Sequence, residues 1–158
     1  MAVETKDVAA YAVRVALQGV KQRAQIHYTQ GPDRWWGIHN GSTGLNQPAW
    51  ADCSSYTTWI FWQARRHMRG APGDDVVNGQ DWKSGYTGTH LEHGHIHEGG
   101  VDHWHAGRTL VFYGKPTVGH VALYVGDGMV VSHGSESGPV YVRWDYRNDW
   151  NRSIAYPL

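Results

Sequence analysis

Cys53 is the only cysteine among the 158 residues, and it stands where it could act as a nucleophile. It follows a polar loop and Asp52, and it precedes Ser54 at the predicted start of a helix. Unpaired N–H groups at a helix N-terminus favour the thiolate form, and they can donate hydrogen bonds to the oxyanion of a tetrahedral intermediate. A lone cysteine is more often a small buried hydrophobic residue, but this position favours a nucleophile.

A cysteine nucleophile also needs a base that takes its proton. His120 follows Gly119 and begins a predicted strand over residues 120–125. Strand alternation places His120, Ala122 and Tyr124 on one face. We expect this face to pack against the helix that carries Cys53, because the two side chains could then meet.

The base in turn needs a polar partner that holds its ring in the productive tautomer. The strand after the predicted turn ends in His133, with Ser132 beside it and Glu136 three residues further along. We predict that His133 orients His120, with Glu136 as the alternative third member and Ser132 after it.

Histidines are concentrated in one stretch, with six of the eleven between His90 and His105. In an extended strand, His93, His95 and His97 would share one face, so a metal-dependent hydrolase is one alternative. Carboxylate or cysteine partners do not stand at motif spacing. We therefore expect a polar, partly exposed loop and no metal or other cofactor.

The surrounding pattern predicts helices first and an antiparallel sheet afterwards, which is an α+β domain. Apolar residues recur at helical spacing from Val8 to Val20, with Thr5 as the N-cap, and a second helix begins at 52–54 and ends at Arg69 before Gly70. Residues 31–51 are predicted to be loop, and 71–106 an irregular segment with one short strand. Runs rich in Val, Leu and Tyr predict strands at 108–113, 120–125, 129–132 and 140–144, with a hairpin turn at 126–128.

Composition limits the classes of protein to consider. The length suits one domain over residues 1–158, and nine Trp and nine Tyr predict an aromatic core. A net charge of zero argues against a nucleic-acid partner, and no apolar run is long enough to enter a membrane as a helix. The N-terminal residues lack the pattern of a secretory signal.

Four segments together resemble the NlpC-like cysteine peptidases, a branch of the papain-like peptidoglycan hydrolases. They are Asp52-Cys53-Ser54, the Gly-His-Val to Tyr-Val-Gly strand at 119–126, the Leu-Val-Phe-Tyr strand at 110–113, and Tyr28 before the cysteine. The resemblance implies a papain-like fold in which the nucleophile helix packs on a C-terminal antiparallel sheet. It also implies that Tyr28 helps to bind the oxyanion. The stretch from His120 to His133 is one residue longer than is commonest in the family.

Segments 28–31, 77–79 and 132–136 look more specifically like actinobacteriophage endolysin catalytic domains. This resemblance implies a thiol hydrolase that cuts the D-isoglutamyl–diaminopimelate bond of bacterial peptidoglycan. We expect a monomer that is made in the host cytoplasm and acts on the wall after release. The alternatives are an N-acetylmuramoyl-L-alanine amidase with the same Cys-His machinery and a wall-binding module without catalysis.

Overall fold

The computed structural model describes residues 2–42, 44–96 and 100–158, with residues 95 and 96 described through their backbone alone. Its helices are α1 (Thr5–Lys21), α2 (Trp36–His39), α3 (Cys53–Arg69) and α4 (Thr87–His93). Two of them, α1 and α3, confirm the sequence prediction. The helices α2 and α4 lie within segments that were expected to be irregular.

The ends of the two long helices follow from local chemistry. A capping box of Glu4 and Asp7 begins α1, so the N-cap is one residue before the predicted Thr5. A second capping box, of Asp52 and Ser55, begins α3. Gly70 ends α3 in the left-handed conformation, with φ 83°, that glycine adopts without strain.

The main sheet has six strands in the order β3-β8-β4-β5-β6-β7, and its neighbours are antiparallel. A separate parallel pair joins β1 to β2 just before α3. The strands are β1 (His27–Tyr28), β2 (Trp50–Ala51), β3 (His95–Ile96), β4 (Thr109–Tyr113), β5 (His120–Gly126), β6 (Met129–Ser132), β7 (Val140–Arg143) and β8 (Trp150–Ala155).

The four predicted strands are confirmed as β4 to β7, and β8 is an additional strand. The hairpin between β5 and β6 turns through Asp127 and Gly128, both with positive φ, as a two-residue hairpin turn of this kind requires. The α+β class and the packing of the nucleophile helix on a C-terminal antiparallel sheet are both present, with α3 against β5.

The face of β5 that meets the helices is the opposite of the expected one. Val121 and Leu123 belong to the core that α1 and α3 share. Ala122 and Tyr124 instead lie in a second cluster with Trp104 and other aromatic residues on the far side of the sheet. The expectation that the face of His120, Ala122 and Tyr124 packs against the helix is wrong for Ala122 and Tyr124, because the two bulky aliphatic side chains of β5 fill the helix side. The ring of His120 lies 5.9 Å from that of Tyr113, which also belongs to the second cluster.

Both clusters are rich in aromatic residues, as the composition predicts. Tyr56 and Trp59 of α3 are almost fully buried and stack on each other, with ring centroids 5.9 Å apart. On the other side of the sheet, Trp104 packs edge-on against Tyr124 at 5.4 Å. The sheet is therefore covered on both faces, by one cluster on each side.

Candidate active site

Cys53 is the first residue of α3, and its sulfur lies among backbone donors. The N–H groups of Val121, Ser54 and Cys53 itself are directed at the sulfur and lower the pKa of the thiol. Burial and the carboxylate of Asp52 outweigh them and raise that pKa to about 11. The thiol is therefore protonated at neutral pH.

Asp52 is held firmly beside the nucleophile. Its Oδ1 accepts a hydrogen bond from the backbone N–H of Ser55 at 2.8 Å, as the N-cap of α3. Arg34 pairs with its Oδ2 at 3.5 Å and donates to the carbonyl oxygen of Gly85 at 2.7 Å. Arg34 was not singled out from the sequence, because only the fold brings its loop against the start of α3.

His120 lies at the start of β5, next in the chain to the Val121 amide that faces the sulfur. Its Nε2 is 2.7 Å from Oγ of Ser132, and that hydroxyl is 3.0 Å from the hydroxyl of Tyr146. Burial, and then the positive charge of Arg147, lower the pKa of the imidazole to about 4. At neutral pH His120 is therefore an unprotonated base anchored by Ser132.

The prediction that His133 orients His120 is wrong on this geometry. Nε2 of His133 donates to the carbonyl oxygens of Ala51 at 3.1 Å and His27 at 3.3 Å. Its buried Nδ1 has no hydrogen-bond partner among the described residues. Because neighbouring residues of a strand point to opposite faces, the extra residue before His133 puts Ser132 beside the base instead.

His133 joins the two short strands that lead into the nucleophile helix. Its imidazole bridges the carbonyl groups of β1 and β2, and its ring packs edge-on against Tyr28 and Tyr56, with centroids 5.4 and 5.5 Å away. Burial lowers the pKa of this imidazole. Its position makes it a support for the chain on either side of Cys53.

Glu136 also lies away from His120, so the alternative third member is wrong as well. One of its carboxylate oxygens accepts from the backbone N–H of Tyr28 at 2.9 Å, and the other contacts Nδ1 of His27 at 2.5 Å. The hydrogen bond with His27 lowers the pKa of the carboxyl group. This exposed carboxylate links the loop after β6 to β1.

Tyr28 lies in β1 and pairs with Ala51, two residues before Cys53. Burial raises the pKa of its phenol, and the charges of Cys53 and Asp52 raise it further. Its hydroxyl accepts a hydrogen bond from Gln30 at 3.4 Å.

The histidine-rich stretch falls into separate parts. His90 is fully buried, with its Nε2 3.0 Å from Thr58, while His93 lies on the exposed end of α4. The side chain of His95 and all of His97 lie outside the described residues. Among those that are described, no group of three or more His, Cys, Asp or Glu side chains is placed to hold a metal ion.

Among the described residues, the sequence analysis missed those that lie near Nε2 of His120, on the side of Ser132. Tyr146 contacts Ser132, and Arg147 forms a two-point ion pair with Asp149 at 2.9 and 2.6 Å. These residues follow β7 in a turn whose only sequence signal is an Arg two positions before an Asp. The described site therefore holds a cysteine at a helix start with backbone donors around its sulfur, and, at the start of β5, a histidine that contacts a hydroxyl.

Solved structures similar to this one share its fold at low sequence identity. NlpC2 from Trichomonas vaginalis has a TM-score of 0.61 at 16% identity, covering 99% of this chain and 49% of that chain. A lipoprotein-like NLP/P60 family protein from Staphylococcus aureus has a TM-score of 0.56 at 16% identity, covering 99% of this chain and 44% of that chain. This chain thus spans about half the length of these proteins.

A third solved structure, RipD from Mycobacterium tuberculosis, is described as a non-catalytic NlpC/p60 domain protein adapted to peptidoglycan binding. It is 16% identical, with a TM-score of 0.47, over 93% of this chain and 98% of that chain. No curated protein sequence matches the chain. The sequence model of the NlpC/P60 family, whose domains act on or bind peptidoglycan, matches residues 36–156. The chain therefore belongs to the NlpC/P60 family.

Proposed function

We propose that this chain is a cysteine peptidase that cleaves the D-isoglutamyl–diaminopimelate amide bond of peptidoglycan stem peptides. The observation that carries the proposal is the position of the Cys53 sulfur, at the start of α3 and in front of three backbone N–H groups. A base, His120, immediately precedes one of those donors, Val121, in the chain. Backbone donors around a sulfur have a direct use in acyl transfer, because they stabilise the oxyanion that forms there.

The roles follow from the direction in which His120 is anchored. Since Nε2 of His120 faces Ser132, its Nδ1 is the nitrogen that takes the thiol proton as Cys53 attacks the carbonyl carbon. The backbone N–H groups and Tyr28 stabilise the oxyanion. The protonated His120 then gives its proton to the leaving amine, and water hydrolyses the resulting thioester by the same route.

Hydrolysis of purified walls tests this proposal. The wild-type chain is expected to release fragments whose new amino terminus is diaminopimelate, as identified by mass spectrometry. Cys53→Ala and alkylation by iodoacetamide should each abolish release, whereas EDTA should not. Fragments cut between muramic acid and L-alanine would show the amidase instead, and loss of activity with EDTA alone would show a metal-dependent hydrolase.

A second candidate function, binding to peptidoglycan without cleavage, is favoured by a different observation. Cys53 and His120 are both uncharged at neutral pH. The group that contacts Nε2 of His120 is the hydroxyl of Ser132, rather than a carboxylate or an imidazole. A neutral hydroxyl stabilises an imidazolium less than a carboxylate does. Co-sedimentation of the chain with walls, with no fragments released over hours, would select this candidate.

The proposal extends to phage lysis of an actinobacterial host, with synthesis in the host cytoplasm, action on the wall after release, and a monomeric state. It is supported by the resemblance of segments 28–31, 77–79 and 132–136 to phage endolysins. Within the described residues, no helix has the length and apolarity needed to cross a bilayer. Light scattering tests the monomer, and expression in an actinobacterium with and without a pore-forming protein tests lysis from within.

A further inference from the structure

The hydroxyl that contacts His120 belongs to a longer chain of polar groups. Nε2 of His120 lies 2.7 Å from Oγ of Ser132, and that oxygen lies 3.0 Å from the hydroxyl oxygen of Tyr146. Arg147 is a further hydrogen-bond partner of the Tyr146 hydroxyl. Asp149 binds the guanidinium of Arg147 in turn, at 2.9 and 2.6 Å. The base is therefore connected through two hydroxyl groups to an ion pair.

The packing of Tyr113 holds the rings at both ends of this hydroxyl pair. Tyr113 is fully buried, and its ring lies 5.9 Å from that of His120 and 5.5 Å from that of Tyr146. Its own hydroxyl donates to the carbonyl oxygen of Trp144 at 2.6 Å. Tyr146 is 42% exposed, so its hydroxyl hydrogen can point to water while its oxygen contacts Ser132.

The hydrogen of the Ser132 hydroxyl has two acceptors to choose from among the described residues. Ser132 is almost fully buried, and its hydroxyl contacts His120 and Tyr146. A buried hydroxyl hydrogen without an acceptor is costly, so it must go to one of the two. If it goes to Tyr146, the Ser132 oxygen can accept from Nε2–H of His120. If it goes to His120, Nε2 carries no hydrogen, and Nδ1 of the neutral ring must carry it.

The proposed reaction needs the first of these arrangements. Nδ1 can take the thiol proton of Cys53 only when it carries no hydrogen, so Nε2 must carry the one hydrogen of the neutral ring. The imidazolium that then forms also donates through Nε2, because both of its nitrogens carry hydrogen. In both states the Ser132 oxygen accepts, and its hydrogen needs the Tyr146 oxygen. The guanidinium of Arg147 can only donate, so it takes one lone pair of that oxygen and leaves the other for Ser132.

We propose that Tyr146 is a positioning residue that accepts the hydrogen of Ser132 and thereby holds His120 in the tautomer with its hydrogen on Nε2. The inference rests on the proposed function, because it takes Nδ1 as the atom that receives the thiol proton. Without the Tyr146 oxygen, the acceptor that remains for Ser132 among the described residues is Nε2 itself. The ring would then be held in the tautomer that cannot take the proton.

Nitrogen NMR tests the tautomer without turnover. Long-range ¹H–¹⁵N spectra of histidine-labelled protein at neutral pH distinguish a ring nitrogen that carries hydrogen from one that does not, and His120→Gln assigns the signals. We expect hydrogen on Nε2 in wild type and a shift towards Nδ1 in Tyr146→Phe. Tyr141→Phe is the matched control and should give the wild-type spectrum, because Tyr141 is also exposed and its hydroxyl contacts neither His120 nor Ser132.

Kinetics tests whether Tyr146 acts through Ser132. On L-Ala-γ-D-Glu-meso-diaminopimelate, we expect Tyr146→Phe to lower kcat about 10-fold with little change in KM, and Tyr141→Phe to match wild type. In the Ser132→Ala background, adding Tyr146→Phe should change kcat by less than about twofold, because no hydroxyl remains for Tyr146 to orient.

The outcomes separate this proposal from the proposed function. Hydrogen on Nδ1 in wild type, or the same tautomer in wild type and Tyr146→Phe, would overturn the role of Tyr146. A fall in kcat that persists in full in the Ser132→Ala background would also overturn it, because Tyr146 would then act by another route. If wild type does not cleave the peptide or the walls, the proposed function fails, and the spectra alone still decide whether Tyr146 sets the tautomer.

Discussion

Opposing influences set the protonation state of Cys53. The backbone donors at the start of α3 and at Val121 lower the pKa of the thiol, but burial and Asp52 raise it to about 11. The pKa of His120 moves the other way, to about 4. A thiol of higher pKa than its base rests as a neutral pair, so His120 must remove the proton during attack rather than before it.

This state predicts how the thiol reacts with a small alkylating agent. Below its pKa the thiolate fraction rises about tenfold per pH unit. We therefore expect the rate of iodoacetamide modification of Cys53 to keep rising between pH 7 and 10. Quantitative mass spectrometry against free cysteine measures it. A rate that is constant between pH 5 and 8 would instead show a preformed thiolate–imidazolium pair.

Ser132 is the residue on which the orientation of His120 depends. Replacement by Ala removes the oxygen 2.7 Å from Nε2, and the ring then samples unproductive tautomers and rotamers. We expect Ser132→Ala to lower kcat by about 10- to 100-fold with little change in KM.

Ser132→Asp provides a second readout at the same position. A carboxylate there favours the imidazolium, so the pKa of His120 should rise and the acidic limb of the kcat/KM profile should move to higher pH. Unchanged kcat in Ser132→Ala together with an unchanged profile in Ser132→Asp would remove Ser132 from the machinery.

At the scale of elements, the sequence predicts best where a local signal is sufficient. Asp52 before Ser55 and Gly70 after Arg69 define the ends of α3, and a continuous apolar run after His120 defines β5. The polar content of β8 conceals a strand that only its place between β3 and β4 stabilises. The third member was mispredicted because one extra residue exchanges the faces of Ser132 and His133. The sequence shows the longer spacing, but not which of the two side chains it turns towards His120.

His133 is expected to matter for the junction of β1, β2 and α3 rather than for proton transfer. In His133→Phe the carbonyl groups of His27 and Ala51 lose their shared donor in a buried site. We expect the free energy of unfolding to fall by about 1–3 kcal/mol, as measured by urea denaturation.

Glu136→Gln gives the comparison within the same loop. Glu136 is exposed, so the free energy of unfolding should fall less in Glu136→Gln than in His133→Phe. Greater destabilisation from Glu136→Gln than from His133→Phe would contradict the assigned role of His133.

For the molecule as a whole, three buried histidines link folding to pH. Burial lowers the pKa of His90 to about 3, that of His120 to about 4, and that of His133 in the same direction. An unfolded histidine takes up a proton below pH 6.5, whereas these stay neutral in the folded chain. Because the unfolded state binds more protons, the free energy of unfolding falls as pH is lowered through this window.

His90 offers the sharpest test of this linkage, because it is fully buried and has no assigned part in the reaction. Its Nε2 donates to Thr58 Oγ1, whose own proton goes to the carbonyl oxygen of Ser54. His90→Gln retains an N–H donor that does not titrate. We expect the slope of unfolding free energy against pH between 4.5 and 6 to lose up to about 1.4 kcal/mol per pH unit.

Urea titrations at half-unit steps of pH measure this slope. The pH range from 4.5 to 6 is chosen because other groups titrate below it. The carboxyl groups whose pKa the fold lowers, such as Glu136 and Asp149, add their own acid dependence mainly below about pH 5, and both variants share it with wild type. A His120→Gln variant should lose a similar slope together with its activity, whereas His90→Gln should remain active. Parallel curves for wild type and His90→Gln would show that the buried His90 carries a proton in the folded protein, contrary to its surroundings.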